Sequence, residues 1–251
     1  FMNSGCLERK MTMLKIENVE VMGWEHAIRG MRNPKNSWEK SDSEFEVLGK
    51  EPDDAIIVDW PGDAASWVGP NDQKLMMTLR DAGTDHRKFM RMITVYLDIT
   101  APLYWWKEFD TYKVGTVANS CSTMHKIHAK EFTLEDFSCE HLDDDEMVAI
   151  GHSVGSYRHA YTTKYILMLT ITALNYNRME YLETKDKKYW WQMIQLLPSS
   201  YNQKRTVMCN YEVLCNMYKS RRTHKLDCWH TLCDWMETLP YSELIVGDKN
   251  A

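Results

Sequence analysis

The feature that most constrains the fold of this chain is a strict alternation of apolar and polar residues from Ile93 to Ile99. The apolar positions are Ile93, Val95, Leu97 and Ile99, and the polar positions between them are Thr94, Tyr96 and Asp98. Because successive side chains of a strand point to opposite faces, this period of two predicts a strand with one buried face. Pro102 fits the first turn of a following helix, where its missing N–H is not needed.

Other segments predict both strands and helices. We expect strands over 14–21 and 205–209, a short helix with Ala27, Ile28 and Met31 on one face, and helices over 72–82, 157–182, 187–196, 211–221 and 226–239. Asn71 or Asp72 is the expected cap of the helix over 72–82, and Asp186 that of the helix over 187–196. Residues 33–70 are rich in Pro, Asp, Gly, Ser and Glu, which predicts loops and short elements within a single domain over 1–251.

Composition excludes several classes of protein. A net charge of −6 over 251 residues argues against a protein that binds bulk nucleic acid, but it leaves room for a local cationic site for one nucleotide. The apolar run from Tyr165 to Leu174 is too short to cross a bilayer, and we see no signal peptide, so we expect no membrane association. Seven cysteines without a CxxC pair suit free thiols in the cytoplasm.

Two blocks of polar residues have a spacing that resembles one known family. The first block has His86, then Ala101-Pro102, the triplet Thr111-Tyr112-Lys113, Asn119 and Ser122. The second has Leu197-Pro198, Asn210, Asn216 and Arg221. This order resembles that of flavin-dependent thymidylate synthases, whose pattern is a histidine, Ala-Pro, Arg-His-Arg and a serine, followed by Leu-Pro and further asparagines and an arginine.

The resemblance implies a fold class and an activity. The implied fold is α/β, an antiparallel sheet flanked by helices of the thymidylate synthase-complementing protein type. The implied activity is methyl or one-carbon transfer to a pyrimidine nucleotide such as dUMP. FAD would be the cofactor, with NADPH and methylenetetrahydrofolate as co-substrates. The implied assembly is a homo-oligomer, a tetramer in the family, with the site between subunits.

The resemblance also assigns roles to residues. Ser122 and Lys113 are the catalytic candidates, with Ser122 at the pyrimidine edge. Arg221 is the substrate-binding candidate that, with Lys113, holds phosphate. The cofactor-binding candidates are His86, Tyr112, Asn119, Asn210 and Asn216. Arg29, Arg32 and Ser37 have a looser likeness to a family segment near the start.

Several positions depart from the family pattern. Thr111 and Tyr112 replace the arginine and histidine of the triplet, and Ile194 and Glu212 replace two further arginines. A lost arginine removes a bidentate contact to phosphate. The second hypothesis is therefore an oligomer of the family fold that lacks flavin chemistry and binds a nucleotide or a protein.

Each candidate also has a purely structural interpretation. Asn210 fits a helix N-cap, and Ser122 and Asn119 fit local bonds to the backbone. Arg221 fits the last turn of a helix, where a cation complements the helix dipole, and Lys113 fits a solvated loop.

Competing motifs point to other chemistry. Ser153 lies in Gly151-His152-Ser153-Val154-Gly155, the Gly-x-Ser-x-Gly pattern of serine hydrolases, and His159, His224 or His230 would complete a triad. No strand–helix alternation precedes it. Two groups have metal-ligand chemistry but not the usual zinc spacing: Cys121, His125 and His128, and His224, Cys228, His230 and Cys233. We expect no metal, and we interpret the acidic residues 143–146 as a helix start.

Overall fold

The computed structural model of the chain describes residues 14–48, 57–59, 64–150 and 159–247. Within these residues the strands are β1 (Lys15–Met22), β2 (Glu44–Leu48), β3 (Ile57–Asp59), β4 (Ala64–Trp67), β5 (Thr94–Pro102), β6 (Val117–Ser120), β7 (Met147–Ile150), β8 (His159–Thr162) and β9 (Asn202–Asn210). The α-helices are α1 (Trp24–Arg32), α2 (Pro70–Asp81), α3 (Leu103–Phe109), α4 (Thr163–Thr184), α5 (Lys187–Leu196), α6 (Tyr211–Arg221), α7 (Asp227–Met236) and α8 (Glu243–Val246).

The backbone contacts divide the chain into two compact units. Unit 1 contains residues 14–15, 100–108, 120–150 and 159–204 of the described chain. Unit 2 contains residues 16–48, 57–59, 64–99, 109–119 and 205–247. The single domain over 1–251 stays a prediction.

Unit 2 holds most residues of a sheet with the strand order β1-β5-β9-β6. A second sheet, in the order β2-β4-β3, is antiparallel throughout. It is built from the segment in which we predicted loops and short elements. The predicted fold class, an antiparallel sheet flanked by helices, is confirmed.

The alternating residues 93–99 form most of strand β5, whose apolar face is buried. Val95, Leu97 and Ile99 are at most 2% exposed. On the opposite face, Asp98 accepts hydrogen bonds from the Asn18 amide nitrogen at 2.9 Å and the Thr206 hydroxyl at 2.6 Å. One carboxylate therefore joins β1, β5 and β9. Pro102 ends β5 and precedes α3, instead of occupying the first turn of the helix.

The start of α2 corrects one prediction. The helix begins at Pro70, and neither Asn71 nor Asp72 caps it. Instead the Asp42 carboxylate accepts the backbone N–H groups of Asn71 at 2.8 Å and Asp72 at 3.1 Å. The Asp72 side chain is fully buried and accepts a hydrogen bond from Arg32 Nε at 2.6 Å. The cap comes from a residue distant in sequence, which a local pattern does not reveal.

Unit 1 is built around α4 and α5. Its core contains Ile127, Phe132, Phe137, Cys139, Leu167, Ile171, Leu174 and Met193. Asp186 caps α5 as predicted, because its carboxylate accepts the Lys188 backbone N–H at 2.9 Å. The helix predicted over 157–182 begins at Thr163, after β8. In the described part of the chain, no helix is long and apolar enough to span a membrane.

The acidic residues 143–146 do not start a helix, so that prediction was wrong. The Asp143 carboxylate accepts the backbone N–H groups of Asp145 at 2.6 Å and Glu146 at 2.8 Å. These bonds lower the pKa of Asp143. They form a turn that leads into β7. Asp bonds its own backbone in turns as readily as at helix starts, so sequence alone does not separate the two.

Candidate functional site

The loop that follows α3 borders a cavity in unit 2. The cavity has a volume of about 380 Å³ and is lined by Phe109, Asp110, Tyr112, Lys113, Thr116, Ala118 and Arg205. Two of the eight predicted site residues, Tyr112 and Lys113, are therefore in its wall. The volume lies within the range of small-ligand sites, ~300–1,000 Å³.

The wall of this cavity carries two cations and one carboxylate. Arg205 Nη1 donates a hydrogen bond of 2.7 Å to Asp110 Oδ1, and only 15% of the Arg205 side chain is exposed. Lys113 is exposed. Because Asp110 offsets one cation, the wall has a net positive charge, which favours an anionic ligand.

Tyr112 is held in place by an arginine of the second sequence block. Arg221 Nε donates a hydrogen bond of 2.9 Å to the Tyr112 hydroxyl oxygen. The Arg221 guanidinium also lies 4.6 Å from the centre of the Trp229 ring, a cation–π contact. The Tyr112 and Trp229 rings are 6.1 Å apart and edge to face. These contacts fix the ring that borders the cavity.

Asn210 supports the same loop from α6. Its side-chain oxygen accepts the Val213 backbone N–H at 3.0 Å, so Asn210 is the N-cap of α6 and its structural interpretation is confirmed. Gly115 has a φ of 79°, and a Cβ there would lie 2.9 Å from Asn210 Nδ2. The loop at Gly115 thus depends on a glycine in close contact with Asn210.

Asn216 is exposed on α6 and hydrogen-bonds to a charged cluster in which Arg87 and Glu212 are buried. It accepts a hydrogen bond of 3.0 Å from Arg87 Nη2, and Arg87 Nε lies 3.3 Å from Glu212 Oε1. Arg91 also donates to Glu212. Burial raises the pKa of Glu212, but the hydrogen bonds and charges of Arg91 and Arg87 outweigh it, so the net shift is downward. Glu212 stands where the resembling family has an arginine, and here it neutralises arginines.

The remaining candidates lie elsewhere. His86 is exposed and precedes the short 3-10 helix Arg87–Arg91, and Asn119 is exposed on β6. Ser122 lies in unit 1, where its hydroxyl oxygen accepts the backbone N–H groups of Met124 at 3.2 Å and His125 at 2.9 Å. Its local structural role is thereby confirmed. The ligand roles of these three residues stay predictions.

The weaker candidates near the start have structural roles. Arg32 is buried and pairs with Asp72, and its Nη1 donates to the Ser37 carbonyl at 3.1 Å. Arg29 pairs with Glu25 along α1 at 3.7 Å. Asp72 also accepts hydrogen bonds from the hydroxyls of Ser41 and Ser43. Burial raises the pKa of Asp72, but the hydrogen bonds from Ser41, Ser43 and Arg32 and the charge of Arg32 outweigh it, so its pKa is lowered.

The competing motifs find little support. Ser153 lies outside the described residues, but its flanking strands β7 and β8 pair antiparallel with each other. A hydrolase nucleophile instead sits between a strand and a helix. Among the residues that the structure describes, no group of three His, Cys, Asp or Glu side chains is placed to hold a metal ion.

The sequence did not predict the polar residues Asp110, Thr116 and Arg205 of this cavity, or Trp229, which contacts Arg221. Arg205 had a detectable signal, because it alternates with Val207 and Cys209, which are both buried. A charged residue on the buried face of a strand requires a partner. The Thr116 hydroxyl is buried and makes no hydrogen bond within the described chain.

Comparison of the whole chain with solved structures shows which known fold it has. The chain superposes on flavin-dependent thymidylate synthase ThyX from Helicobacter pylori, complexed with FAD and dUMP, with a TM-score of 0.58 and 13% identity, covering 92% of this chain and 98% of that one. This chain has the fold of flavin-dependent thymidylate synthase. The resemblance seen in the sequence is confirmed at the level of the fold.

A second solved protein has a similar fold. The UMP/dUMP methylase PolB from Streptomyces cacaoi, bound with 5-Br dUMP, gives a TM-score of 0.51 at 13% identity over 91% of this chain and 92% of that one. The same methylase with 5-Br UMP gives 0.52 at 12% identity. No family model matches the sequence, and no curated protein matches it. The likeness to these solved proteins is therefore a likeness of fold.

Proposed function

We propose that this protein is a flavin-dependent thymidylate synthase-like enzyme that transfers a methyl or one-carbon group to a pyrimidine nucleotide such as dUMP. The observation that carries the proposal is the cationic cavity at Tyr112, Lys113 and Arg205. It is built by the segment that resembles the family's triplet, in a fold shared with structures that hold dUMP or 5-Br dUMP.

The charges of the cavity suit a nucleotide phosphate. A phosphate monoester carries about −1.5 to −2 charges at neutral pH and three acceptor oxygens. The Lys113 ammonium would act as a point charge, and the planar Arg205 guanidinium would donate in a fixed direction. Asp110 holds that guanidinium in position at 2.7 Å. We therefore assign the phosphate to Lys113 and Arg205.

The Tyr112 ring is suited to contact the base. Aromatic rings stack on nucleic bases irrespective of base identity. Tyr112 is fixed by Arg221, so it loses little freedom when a base binds. In this proposal Arg221 positions Tyr112. The phosphate contact of Arg221 that the resemblance implies stays a prediction. The buried Thr116 hydroxyl offers a further polar group beside the cavity.

The cavity can hold a mononucleotide but is too small for the whole of FAD. The cavity of about 380 Å³ has the size for a mononucleotide, and Asn210 and Asn216 bond to groups of their own chain. FAD is larger, so we propose that a second copy contributes to its site. When bound, the flavin supplies hydride chemistry, with NADPH and methylenetetrahydrofolate as co-substrates, and the protein binds and orients. The role of Ser122 at the pyrimidine edge, which the resemblance implies, stays a prediction.

The alternative function is nucleotide binding without flavin chemistry. One observation favours it: Glu212 replaces an arginine of the family pattern and neutralises Arg87 and Arg91. This exchange removes positive charge from α6. A protein of this kind would retain the cavity but not the reaction.

One experiment separates the two functions. dUMP carrying tritium at C5 is incubated with the protein, FAD, NADPH and methylenetetrahydrofolate, since methylation at C5 releases that hydrogen. Tritium release, together with flavin absorbance that stays with the protein on gel filtration, supports the enzyme. Binding of dUMP without either signal supports the alternative. Absence of dUMP binding contradicts both.

A further inference from the structure

A second cavity lies in unit 2, between the start of α1 and strand β2. Its volume is about 410 Å³, within the range of small-ligand sites, ~300–1,000 Å³. It shares no described lining residue with the cavity at Lys113. None of its described lining residues belongs to the two sequence blocks that carry the family resemblance. The proposed nucleotide site therefore does not account for it.

A β-bulge in β2 brings two neighbouring residues to the wall of this cavity. Successive residues of a regular strand point to opposite faces, yet Phe45 and Glu46 both line the cavity. The pairing of β2 with β4 shifts register between Glu44 and Val47. Within this shift Glu46 has a φ of 54°, and its backbone N–H donates to the hydroxyl oxygen of the buried Ser66 at 3.0 Å. Bulges re-aim side chains and are frequent beside functional sites.

The charged residues of the cavity wall are acidic. Glu25 and Glu46 line it, and no lysine or arginine is among its described lining residues. The charge of Glu25 is partly offset, because Glu25 lies in the first turn of α1 and 3.7 Å from Arg29. Glu46 is exposed, and its carboxylate makes no hydrogen bond or ion pair with the described residues. Glu46 is therefore the carboxylate most available to a ligand.

His26, the third ionisable residue of the wall, adds no positive charge. Arg29 Nη2 lies 2.9 Å from His26 Nδ1. Because a guanidinium can only donate, Nδ1 is the acceptor and the imidazole is neutral in this geometry. The wall thus has a net negative charge, which favours a cationic ligand and opposes a nucleotide.

Most of the other side chains in the wall are apolar. Met22 and Met92 are 39% and 48% exposed, Phe45 is partly buried, and Trp24 is only 3% exposed. Methionine and aromatic side chains adapt well to aromatic ligands. The Trp24 indole N–H is buried and has no hydrogen-bond partner within the described chain. Buried donors are normally paired, so this group marks a contact that the described chain does not supply.

We propose that this cavity binds a small organic ammonium compound with an apolar body, of the arylalkylamine class. The ammonium would bind the Glu46 carboxylate through a charge-assisted hydrogen bond, beside the ring of the adjacent Phe45. The apolar body would pack against Met22 and Met92. The inference is independent of the proposed nucleotide site, because the two cavities have no described residue in common.

Phenethylamine tests the class of ligand. Its analogues of similar shape are 2-phenylethanol, which is neutral, and 3-phenylpropionate, which is anionic. Saturation-transfer NMR titrations at low ionic strength compare the three. We expect the amine to bind at least about tenfold more tightly than the alcohol, and the acid not to bind. Equal affinities of the amine and the alcohol, or no binding of the amine to the wild type at ~10 mM, overturn the proposal.

Two pairs of variants test the position of the site. Glu46→Gln keeps the shape and removes the charge, so it should weaken amine binding about tenfold. Its control is Glu20→Gln, at an exposed glutamate on β1. Met22→Trp should block the cavity, whereas Val19→Trp, at a residue 42% exposed on the same strand, should not.

Circular dichroism checks that each variant is folded. If Met22→Trp is not folded, the two glutamate variants decide. Amine binding that is unchanged in Glu46→Gln, or equally weakened in Glu20→Gln, overturns the proposal. The titration contains no dUMP, so a protein that binds the amine but not dUMP would contradict the proposed function alone.

Discussion

Arg221 and Tyr112 are 109 residues apart in sequence, yet Arg221 Nε donates a hydrogen bond of 2.9 Å to the Tyr112 hydroxyl oxygen. This bond joins the last turn of α6 to the loop after α3. The two sequence blocks that carried the resemblance thus meet in one chain. The contact gives Arg221 a role that its position at a helix end alone does not explain.

The first prediction concerns this pair. Arg221→Leu removes both the hydrogen bond to Tyr112 and the cation–π contact with Trp229. The Tyr112 side chain then gains conformational freedom, and dUMP binding must pay the entropy of ordering it again. We expect the affinity for dUMP, measured by calorimetry, to fall about tenfold, or ~1.4 kcal/mol. Tyr112→Phe should have a smaller effect, because it retains the ring and loses only the hydroxyl.

The matched control for Arg221→Leu is Arg222→Leu. Arg222 is next in sequence, but its guanidinium pairs with Asp234 on α7, whereas that of Arg221 bonds to Tyr112. An equal loss of affinity in both variants would show that charge, and not the position of Tyr112, matters.

The second prediction concerns Gly115. Its positive φ of 79° and the 2.9 Å approach of a Cβ to Asn210 Nδ2 make Gly115→Ala strained. We expect a loss of about 1–3 kcal/mol in the free energy of unfolding, measured by urea denaturation. Gly83→Ala is the comparison, since Gly83 also has a positive φ of 107° but no atom near its Cβ. If Gly115→Ala is no worse than Gly83→Ala, the contact with Asn210 is unimportant.

The third prediction concerns the pH dependence of stability. The folded-state pKa of Glu212 is below its usual value because of Arg91 and Arg87, against the effect of burial. Its stabilisation is therefore present above the unfolded pKa of about 4.3 and is lost as the pH falls through the folded value. Glu212→Gln should cost about 2–3 kcal/mol at pH 7. The difference from wild type should shrink below about pH 4.

The control for this titration is Glu39→Gln, at an exposed glutamate. As a substitution at an exposed surface position, it is expected to change the unfolding free energy by less than about 0.5 kcal/mol. A Glu212→Gln variant that differs from wild type by the same amount at pH 3 and pH 7 would show that the carboxylate charge is not what stabilises Arg87.

Local patterns predicted many elements of the fold correctly. The alternation in 93–99 gave β5, and the helix over 211–221 has the predicted ends. Asp186 caps α5 because a cap acts within a single turn. These successes share a cause: periodicity and caps are properties of neighbouring residues.

The features that the sequence did not predict depend on distant pairs. The Asp42 cap of α2, the Arg87–Glu212 ion pair and the Arg205–Asp110 contact join residues between 29 and 125 positions apart. The likeness to a family placed Tyr112 and Lys113 at the cavity, but it gave no signal for Asp110 or Trp229. Only the folded chain shows which charges neutralise each other.

The central claim is that a mononucleotide phosphate binds at the cavity beside Lys113. Calorimetric titration of dUMP into the wild type, Lys113→Ala and the control Lys219→Ala, an exposed lysine on α6, tests it most directly. We predict binding to the wild type and the control, and at least about tenfold weaker binding to Lys113→Ala, a loss of ~1.4 kcal/mol. Binding of dUMP that is equally tight in all three proteins, or absent from the wild type, would contradict the account.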